Sequence, residues 1–503
     1  MEVVFISTIT VSNLTFAYDG SYDNIFEDVS FALDTNWKLG FIGRNGKGKT
    51  TFLKLLIGKY NYSGKISASV NFDYFPFEVS DRKKNTIEIA SEIYTNFQQW
   101  ELEREISLLN MNEEVLERSF VTLSNGEQTK ILLAILFLKE NNFLLIDEPT
   151  NHLDIGSREV VSKYLKNKKG FILVSHDRTF LDSCIDHVLS INRANIEVQQ
   201  GNFSSWWQNK EYQDNFELVE NEKLKRDIKR LEKAARQTAN WSDKVEATKI
   251  GGGKDKKSGL RPDRGYIGHQ AAKMMKRSIC TRNRKEKAIE DKSKLLKNLE
   301  TADNLKLSPM IYRKNKLIDI SKLSISYNGN KVCENINFDV ENGDKIQLKG
   351  KNGCGKSSVL KLILGQNIKY SGVLNISSDL KISYVSQDTS HLNGNLTDFS
   401  RANNIDESLF KAILRKLDFS RIQFEKNIEN FSGGQKKKIL IARSLCEHAH
   451  LYIWDEPLNF IDVLSRIQIE DLILKYKPTM IFVEHDRTFA GKVATKTVDI
   501  NRV

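Results

Sequence analysis

The sequence predicts an α/β protein in which one domain occurs twice, with a helical segment inserted between the copies. Two observations carry this prediction. Four short motifs occur in the same order in both halves of the 503-residue chain, at offsets of 307 to 309 residues. The segment between the halves has no counterpart elsewhere and contains the chain's excess positive charge. Motifs repeated in order at a nearly constant offset indicate a duplicated domain.

The composition is that of an ordinary soluble protein, with 40% hydrophobic and 28% charged residues. No apolar run approaches the ~18–20 residues that a membrane span requires, and the longest, Ile131 to Leu138, predicts a buried helix. The start of the chain carries an acid at Glu2 and lacks the basic region of a signal peptide. Scattered cysteines without metal-site spacing are typical of reduced thiols. We therefore expect a cytoplasmic protein without a membrane partner.

The repeated motifs are a glycine-rich loop, a second short glycine motif, an apolar run ending in two acids, and a histidine motif. In chain order they are GRNGKGKT (from Gly43) and GKNGCGKS (from Gly350), LSNGEQ (from Leu123) and FSGGQK (from Phe431), LLIDEPTNHLD (from Leu144) and YIWDEPLNFID (from Tyr452), and VSHDRTF (from Val174) and VEHDRTF (from Val483). A strand is predicted to enter the first loop and a helix to leave it, closed by Gly58. The apolar runs predict strands buried on both faces of a parallel sheet.

Both glycine-rich loops match G-x-x-x-x-G-K-[ST], a pattern that binds nucleotide phosphates through backbone N–H groups and a helix N-terminus. Lys49 and Lys356 are predicted to reach the β- and γ-phosphates of ATP, and Thr50 and Ser357 to offer a hydroxyl to Mg²⁺. The candidate ATP-binding residues of the two loops are Gly43, Asn45, Gly46, Gly48, Lys49, Thr50 and Thr51, and Gly350, Asn352, Gly353, Gly355, Lys356, Ser357 and Ser358.

An Asp-Glu pair ends each of the two buried strands. Asp147 and Asp455 are placed to hold Mg²⁺ through oxygen. Glu148 and Glu456 follow them and are predicted to orient the attacking water or act as its general base. An isolated Asp-Glu pair at a strand end is more often a solvated turn. The phosphate loop upstream of each pair favours the metal and catalytic interpretation.

The motifs resemble those of ABC-type ATP-binding cassettes, with LSNGEQ and FSGGQ as the signature sequences. In that family His176 and His485 would be the switch histidines that sense the γ-phosphate, and Gln387 would touch Mg²⁺ and the attacking water. Two cassettes sandwich two ATP molecules head to tail, so Lys49 would face Ser432 and Lys356 would face Ser124. The further ATP contacts that the resemblance implies are the adenine-stacking Tyr18 and Tyr327 and the signature residues Ser124, Gly126, Ser432, Gly433 and Gly434.

The insert is predicted to be a long antiparallel helical hairpin. A heptad-like apolar seam runs from Leu224 to Val245, and a stretch rich in glycine and proline follows from Ile250 to Gly265. A second helix resumes near Tyr266, with apolar anchors at Ile289, Leu295, Leu296 and Leu299. Arms of about 35–40 residues would extend on the order of 50–60 Å. The predicted domains are a cassette over 1–203, a linker over 204–312 and a cassette over 313–503.

The positive charge of the chain is concentrated in this linker. Residues 221–298 contain 24 Lys and Arg against 10 Asp and Glu, whereas the rest of the chain carries a net charge of −3. A charge run is often only a solvated helix face, but so local an excess favours a polyanionic partner.

The whole chain, including this linker, resembles the ABC-F group of soluble paired cassettes. The resemblance implies a monomer with cassettes paired within the chain and a linker that enters the ribosomal tRNA exit site. There the segment Trp241–Arg277 would contact 23S rRNA and P-site tRNA of the 70S ribosome. The chain looks most like the Lsa/Vga type, which protects ribosomes from lincosamides, pleuromutilins and streptogramin A compounds. The alternatives are a housekeeping ABC-F translation factor, a transporter ATPase subunit and a DNA-repair ATPase.

One spacing favours the resistance type over the translation-factor type. Phe77 precedes Ser124 by 47 residues and Gln387 precedes Ser432 by 45, so the first cassette lacks the arm insertion that translation-factor members carry. Several positions also depart from the family pattern: Phe77 stands where the second copy has Gln387, Asn125 replaces a signature glycine, Leu458 and Phe460 replace Thr150 and His152, and Glu484 replaces Ser175. These departures argue against equal ATP turnover at the two sites.

Overall fold

A computed structural model of the chain describes residues 7–18, 24–139, 142–192, 195–248, 305–327, 330–351 and 353–500, together with nine separate positions between His269 and Lys287. The chain divides into two compact units. One contains residues 1–206 and 302–503, and the other contains residues 207–301. The first unit holds both copies of the duplicated domain, which we call the first and second cassettes.

Each cassette combines a mainly parallel sheet with a small antiparallel sheet. The strands are β1 (Thr8–Phe16), β2 (Phe26–Asp34), β3 (Lys38–Ile42), β4 (Ser63–Ser67), β5 (Asn71–Phe75), β6 (Asn142–Asp147), β7 (Phe171–Val174), β8 (His187–Asn192), β9 (Asn195–Gln200), β10 (Lys316–Tyr327), β11 (Asn330–Glu341), β12 (Lys345–Lys349), β13 (Tyr370–Ile376), β14 (Ile382–Val385), β15 (Leu451–Asp455), β16 (Met480–Val483) and β17 (Lys496–Asp499).

The described residues also form α-helices in both cassettes and in the linker unit. They are α1 (Lys49–Leu56), α2 (Thr86–Ile93), α3 (Gln99–Leu108), α4 (Asn125–Leu138), α5 (Ile155–Lys166), α6 (Arg178–Cys184), α7 (Phe203–Thr248), α8 (Lys356–Ile363), α9 (Leu396–Ala402), α10 (Glu407–Lys416), α11 (Gly433–Cys446), α12 (Val463–Tyr476) and α13 (Arg487–Val493). The apolar run predicted to form a buried helix lies in α4, where residues 131–136 are buried, so that prediction is confirmed.

Strand order in the parallel sheets brings the motif loops together. The first cassette has the order β5-β6-β7-β3-β8-β9, with only β9 antiparallel, and the second has the order β14-β15-β16-β12-β17. In β6, residues 143–146 are all buried, as predicted for a strand covered on both faces. Because β3, β7 and β6 are neighbours and parallel, the loops after them meet at one edge of the sheet. Two P-loop cassettes of α/β type are therefore confirmed.

Aromatic packing fixes the helix that follows the first phosphate loop. Phe52 of α1 contacts Phe41 of β3 with ring centroids 5.5 Å apart and Phe26 of β2 with centroids 6.0 Å apart, both edge to face. All three rings are fully buried. Such pairs add roughly 0.5–1.5 kcal/mol beyond the area they bury. The helix is thus held against both sheets of the cassette, and its N-terminus keeps a fixed position at the loop.

The linker unit begins with a helix that is longer than predicted. Helix α7 has 46 residues and runs through Thr248, whereas arms of about 35–40 residues were expected. The predicted apolar seam from Leu224 to Val245 lies within this one helix. No glycine or proline occurs between Phe203 and Ile250, so neither helix breaker ends the helix earlier.

The second arm is described at nine positions, which are all helical and exposed. They include the cations Lys273, Lys276, Arg284 and Lys287. The predicted tip over 250–265 and the anchors Ile289, Leu295, Leu296 and Leu299 lie outside the described residues. Among the residues that the structure describes, no helix is both long enough and apolar enough to cross a membrane.

Candidate active sites between the two cassettes

Glycine is required at specific points of both phosphate loops. Gly48 and Gly355 precede α1 and α8 with φ of 97°. A Cβ atom at Gly48 would lie 2.5 Å from Cγ2 of Ile25, so a larger residue would be strained and would also clash. Gly46 and Gly353, with φ of 83° and 79°, have open space around them. The loops therefore leave room in front of the helix N-termini, where a phosphate group binds well.

The loop lysines lie inside their own loops. Nζ of Lys49 donates hydrogen bonds to the carbonyl oxygens of Gly43 at 2.6 Å and Arg44 at 3.2 Å. Nζ of Lys356 donates to the carbonyl oxygen of Gly350 at 2.8 Å. Burial lowers the pKa of Lys49, and the negative charges of nearby acids partly offset this shift. A buried ammonium group in a ring of backbone groups is well placed to bind a phosphate oxygen.

The acids at the ends of β6 and β15 fit a hard divalent cation. Thr50 Oγ1 donates to Asp147 Oδ2 at 2.8 Å, and the Tyr74 hydroxyl donates to the same oxygen at 3.0 Å. Asp455 is 1% exposed, and among the described residues its Oδ1 has no hydrogen-bond partner. Burial raises the pKa of Asp455, and a hydrogen bond from the Ser357 side chain partly offsets this shift. Carboxylate and hydroxyl oxygens are the ligands that Mg²⁺ prefers, so this donor set fits the ion.

In the first cassette the glutamate after β6 is buried, and among the described residues no side-chain amide holds it. Glu148 has a left-handed backbone with φ of 52°, and its Oε1 lies 3.1 Å from Nε2 of His176. Within the described part of the chain, neither carboxylate oxygen of Glu148 has a hydrogen-bond partner. Burial and the charge of Asp147 raise the pKa of Glu148 to about 8. Burial and the charge of Lys49 hold the pKa of His176 well below its usual value.

In the second cassette the corresponding glutamate is held by two amides. Oε2 of Glu456 accepts from Nε2 of Gln387 at 2.8 Å and from Nδ2 of Asn459 at 2.7 Å. Nε2 of His485 lies 3.4 Å from Oε1. Burial works to raise the pKa of Glu456, but the contacts with His485 and Gln387 outweigh it and hold the pKa below its usual value. This carboxylate is fixed in one orientation.

The second phosphate loop faces the signature of the first cassette. A cavity of about 900 Å³ lies between them, and we call it the second composite site. Its lining combines residues predicted from separate motifs: Ser124 and Gly126 from the first cassette, and Tyr327, Gly353, Gly355, Lys356, Ser357, Ser358, Gln387, Glu456 and His485 from the second.

The first phosphate loop faces the second cassette in the same manner. Nδ2 of Asn45 donates to the carbonyl oxygen of Phe460 at 2.8 Å, and a Cβ atom at Gly434 would lie 3.1 Å from that same nitrogen. Nearby, Glu148 and Phe77 line a cavity of about 490 Å³ together with Thr50 and Asp147. This first composite site comprises the first phosphate loop, the acids after β6, His176, and the opposing signature segment 432–434.

The remaining predicted residues lie at the borders of these sites. The Tyr18 hydroxyl is 2.7 Å from Thr51 Oγ1, the Tyr327 hydroxyl donates to Ser358 Oγ at 3.2 Å, and each tyrosine is 43% exposed. Ser124 and Ser432 are the N-caps of α4 and α11, and Gly126 and Gly433 lie in the first turns of these helices. Asn352 lies outside the described residues.

Two functional contacts were not anticipated from the sequence. Asn459 holds Glu456, and its repetition as Asn151 in the motifs EPTN and EPLN could have indicated this role. Arg178 extends from the first cassette to Glu470 of the second, with NH2 and Oε2 2.6 Å apart and both side chains buried. The first-copy counterpart of Glu470 is Ser162, so no repeated motif could have indicated this ion pair.

The cassette boundary has an approximate twofold axis. Equivalent residues Thr179 and Thr488 meet with their Oγ1 atoms 3.0 Å apart. On the other side of this contact Arg487 pairs with Glu159, and both side chains are about half exposed. Among the described residues, the two cassettes are therefore joined by the buried Arg178, which pairs with Glu470 and also lies 3.8 Å from the buried Asp486, and by the exposed pair of Arg487 with Glu159.

Two phosphate loops, each completed by the signature of the other cassette, define a paired ATP-binding cassette ATPase. The sequence profile of the ABC transporter family matches residues 26–151 and 333–459, which together make up half of the chain. The chain belongs to this family, and it is an ATPase with two ATP-binding cassettes.

Similar proteins share this two-cassette organisation over nearly the whole chain. ATP-binding protein Uup of Buchnera aphidicola subsp. Acyrthosiphon pisum is 27% identical over 97% of this chain and 80% of Uup. Ribosome protection protein VmlR of Bacillus subtilis is 27% identical over 98% of this chain and 86% of VmlR.

A solved structure supports the fold alone. The archaeal ribosome recycling factor aABCE1, crystallised in complex with the archaeal ribosomal stalk protein aP1, has a TM-score of 0.60 to this chain. The match covers 97% of this chain and 89% of that chain, at 18% identity.

The buried ion pair predicts an unequal response to two similar substitutions. Glu470→Gln leaves the buried Arg178 without its main partner, which is expected to lower the free energy of unfolding by about 3–5 kcal/mol. Glu159→Gln removes only the exposed pair with Arg487 and is expected to cost about 0–1 kcal/mol. Urea unfolding followed by tryptophan fluorescence measures both. Equal losses would show that the buried pair does not stabilise the cassette boundary.

Proposed function

We propose that the chain is a cytoplasmic, monomeric ABC-F ATPase that binds the 70S ribosome and protects it from antibiotics of the peptidyl-transferase centre. The observation that carries this proposal is the basic linker between two cassettes, with 24 Lys and Arg against 10 Asp and Glu over 221–298. Ribosomal RNA is a polyanion of the size that such a segment can contact. The similarity to a protein named for ribosome protection supports the same partner.

The site residues are proposed to act in the same roles in both composite sites. Glu148 and Glu456 would orient the attacking water and accept its proton as the new bond to the γ-phosphorus forms and the bond to ADP breaks. His176 and His485, at 3.1 and 3.4 Å from these carboxylates, would contact the γ-phosphate. Lys49 and Lys356 would stabilise the negative charge of the phosphates.

Further residues would bind the nucleotide and its metal ion. Tyr18 and Tyr327 would stack on adenine, while the loop residues and the signature residues of the opposing cassette would enclose the phosphates. In the first composite site Mg²⁺, when bound, would be held by Thr50 and Asp147. In the second site it would be held by Ser357, Gln387 and Asp455. In both sites the ion would neutralise phosphate charge. The hydroxyl–carboxylate hydrogen bond between Thr50 and Asp147 supports this assignment.

The linker is proposed to bind 23S rRNA and P-site tRNA through Trp241–Arg277. The exposed cations Lys273 and Lys276 support a role in phosphate binding. The proposed domain division is 1–203, 204–312 and 313–503. A transporter subunit would not require a basic segment between its cassettes. A DNA-repair ATPase would be expected to carry a zinc module, and no cluster of metal ligands occurs among the described residues.

The proposal favours drug resistance over a housekeeping role in translation. The first cassette has 47 residues from Phe77 to Ser124, which is too few for the arm insertion of translation-factor members. The relieved drugs would be lincosamides, pleuromutilins and streptogramin A compounds. A housekeeping translation factor is the alternative, and it predicts ribosome binding without any change in drug susceptibility.

Removing both proposed catalytic carboxylates is expected to trap the protein on ribosomes. Glu148→Gln with Glu456→Gln keeps the phosphate loops and the proposed Mg²⁺ ligands but removes the groups that accept the proton of water. ATP binding should persist, and co-sedimentation with 70S ribosomes in ATP should increase. The control is the double variant Lys49→Ala with Lys356→Ala. Its phosphate binding is weakened, so this variant should not be trapped on ribosomes. ATP hydrolysis near the wild-type rate in the double Gln variant would show that the carboxylate roles are wrong.

Reversing linker charge is expected to weaken ribosome binding without slowing ribosome-free ATP hydrolysis. Lys273→Glu with Lys276→Glu places acids opposite rRNA phosphates, far along the chain from either phosphate loop. A linker that makes about 6–10 phosphate contacts should also lose roughly 10³–10⁵ in affinity between 50 and 200 mM salt. Lys65→Glu with Lys426→Glu makes the same charge change on exposed cassette positions and serves as the control. Salt-insensitive binding would argue against rRNA as the main contact.

Shortening the tip is expected to remove resistance while leaving ATPase activity and ribosome binding largely intact. Replacing Gly251–Gly259 by a minimal turn deletes the part proposed to approach the drug-binding centre, whereas the arms retain most of the basic charge. A drug-susceptibility panel in a susceptible bacterium, with wild type and shortened chain side by side, measures the effect. Absence of resistance from wild type would favour the housekeeping alternative. Protection by the shortened chain would show that the tip is only a connector.

A further inference from the structure

The two composite sites hold their glutamates in different ways. Glu456 accepts hydrogen bonds from Gln387 at 2.8 Å and from Asn459 at 2.7 Å on the same oxygen. Like Glu456, Glu148 follows the end of a strand and has a left-handed backbone. Both of its carboxylate oxygens, however, are buried without a hydrogen-bond partner among the described residues. A carboxylate that must orient a water molecule performs best when its own direction is fixed. Only the second composite site meets that condition.

The difference has a local chemical cause. Phe77 occupies the position that Gln387 has in the second cassette, and its ring lines the cavity that also contains Thr50, Asp147 and Glu148. A phenyl group has no N–H to donate, so it cannot replace the carboxamide. The first cassette therefore lacks the donor that corresponds to Gln387, whereas Asn151, the counterpart of Asn459, is retained and lines the same cavity.

In the second cassette, both residues that link the loop of Glu456 to the neighbouring loop differ from those of the first cassette, but the link itself is kept. In the first cassette Oγ1 of Thr150 lies 3.1 Å from Oγ of Ser175, which ties the loop after β6 to the loop after β7. In the second cassette Leu458 and Glu484 occupy these positions, and the Leu458 N–H donates to Glu484 Oε2 at 3.2 Å. The link between the two loops is thus preserved by a different pair of groups.

The departure in the opposing signature does not disrupt the second composite site. Asn125 replaces a signature glycine, yet Ser124 still caps α4 by accepting from the N–H of Glu127 at 3.3 Å. Ser432 caps α11 by accepting from the N–H of Gln435 at the same distance. The N-termini of both signature helices are therefore built alike, and the difference between the sites lies in the glutamate surroundings.

The arginines that follow the two switch histidines form different ion pairs at the cassette boundary. Arg178 lies two residues after His176 of the first composite site and forms the buried ion pair with Glu470. Arg487 lies two residues after His485 of the second site and forms the exposed pair with Glu159. Breaking a buried pair is far more costly than breaking an exposed one. Because Arg178 also lies 3.8 Å from the buried Asp486, the residue after His485, the buried ion pairs connect the loops of both histidines.

We propose that the second composite site is the site of rapid ATP hydrolysis and that the first site hydrolyses slowly. This inference rests on the proposed function insofar as Glu148 and Glu456 are taken as the groups that orient water. Gln387 acts as a positioning residue for Glu456. Phe77 is the substitution that makes the first site slow.

Steady-state ATP hydrolysis by the purified full-length chain without ribosomes tests the proposal. Glu456→Gln is expected to lower kcat at least about tenfold, whereas Glu148→Gln is expected to lower it about two- to threefold. Gln387→Phe should lower kcat at least about tenfold with little change in KM, because it disturbs the direction of Glu456 and leaves the phosphate loop intact. Fluorescent ATP-analogue binding verifies that every variant is folded.

A gain-of-function variant examines the role of Phe77 directly. In the background of Glu456→Gln, adding Phe77→Gln supplies an amide donor for Glu148 and is expected to raise kcat at least about threefold. Adding Glu148→Gln as a third change should remove that gain. A structural role for Phe77 alone would give no gain that depends on Glu148.

The outcomes separate this inference from the proposed function. Equal loss of kcat in Glu148→Gln and Glu456→Gln would overturn the inequality of the sites but leave the carboxylate roles intact. A larger loss in Glu148→Gln would reverse the assignment of the fast site. If neither variant slows hydrolysis, the proposed carboxylate roles themselves are wrong. A Phe77→Gln variant without any gain would overturn the assignment of the slow site to that residue.

Discussion

Parallel strand pairing is the constraint on which both composite sites depend. Because β3, β7 and β6 run in the same direction as neighbours, three loops far apart in sequence end at one edge of the sheet. The phosphate loop, the paired acids and the switch histidine lie in these loops. Each cassette alone supplies only this half of a site. The signature that completes it comes from the other cassette, so pairing of the cassettes and assembly of the sites are one event.

Local requirements explain why most of the site could be predicted from the sequence. The phosphate loops need glycines with positive φ and a lysine at a fixed spacing, and both demands are visible within eight residues. The duplication adds a second independent instance of each motif. The buried strands were also predictable, because strands covered on both faces require continuous apolar runs.

What could not be predicted depends on contacts between distant segments. The ion pair of Arg178 with Glu470 joins residues 292 positions apart, and the first copy has a serine where the second has the glutamate. In the part of the chain that the structure describes, Glu148 receives no hydrogen bond from a side-chain amide, and this too cannot be predicted before the surrounding residues are placed in space. The length of α7 was underestimated for a different reason: arms of about 35–40 residues were expected, but Phe203–Thr248 contains no glycine or proline that would end the helix earlier.

The contact between Thr179 and Thr488 has an evolutionary consequence. In a homodimer, equivalent residues that meet on a twofold axis are encoded once, so every substitution appears on both sides of the axis. Here the two threonines belong to one polypeptide and are encoded separately. A single substitution can therefore alter one half of the assembly and leave the other half untouched. Gene duplication followed by fusion thus gave this architecture a freedom that symmetric assemblies lack: its two halves can specialise one residue at a time.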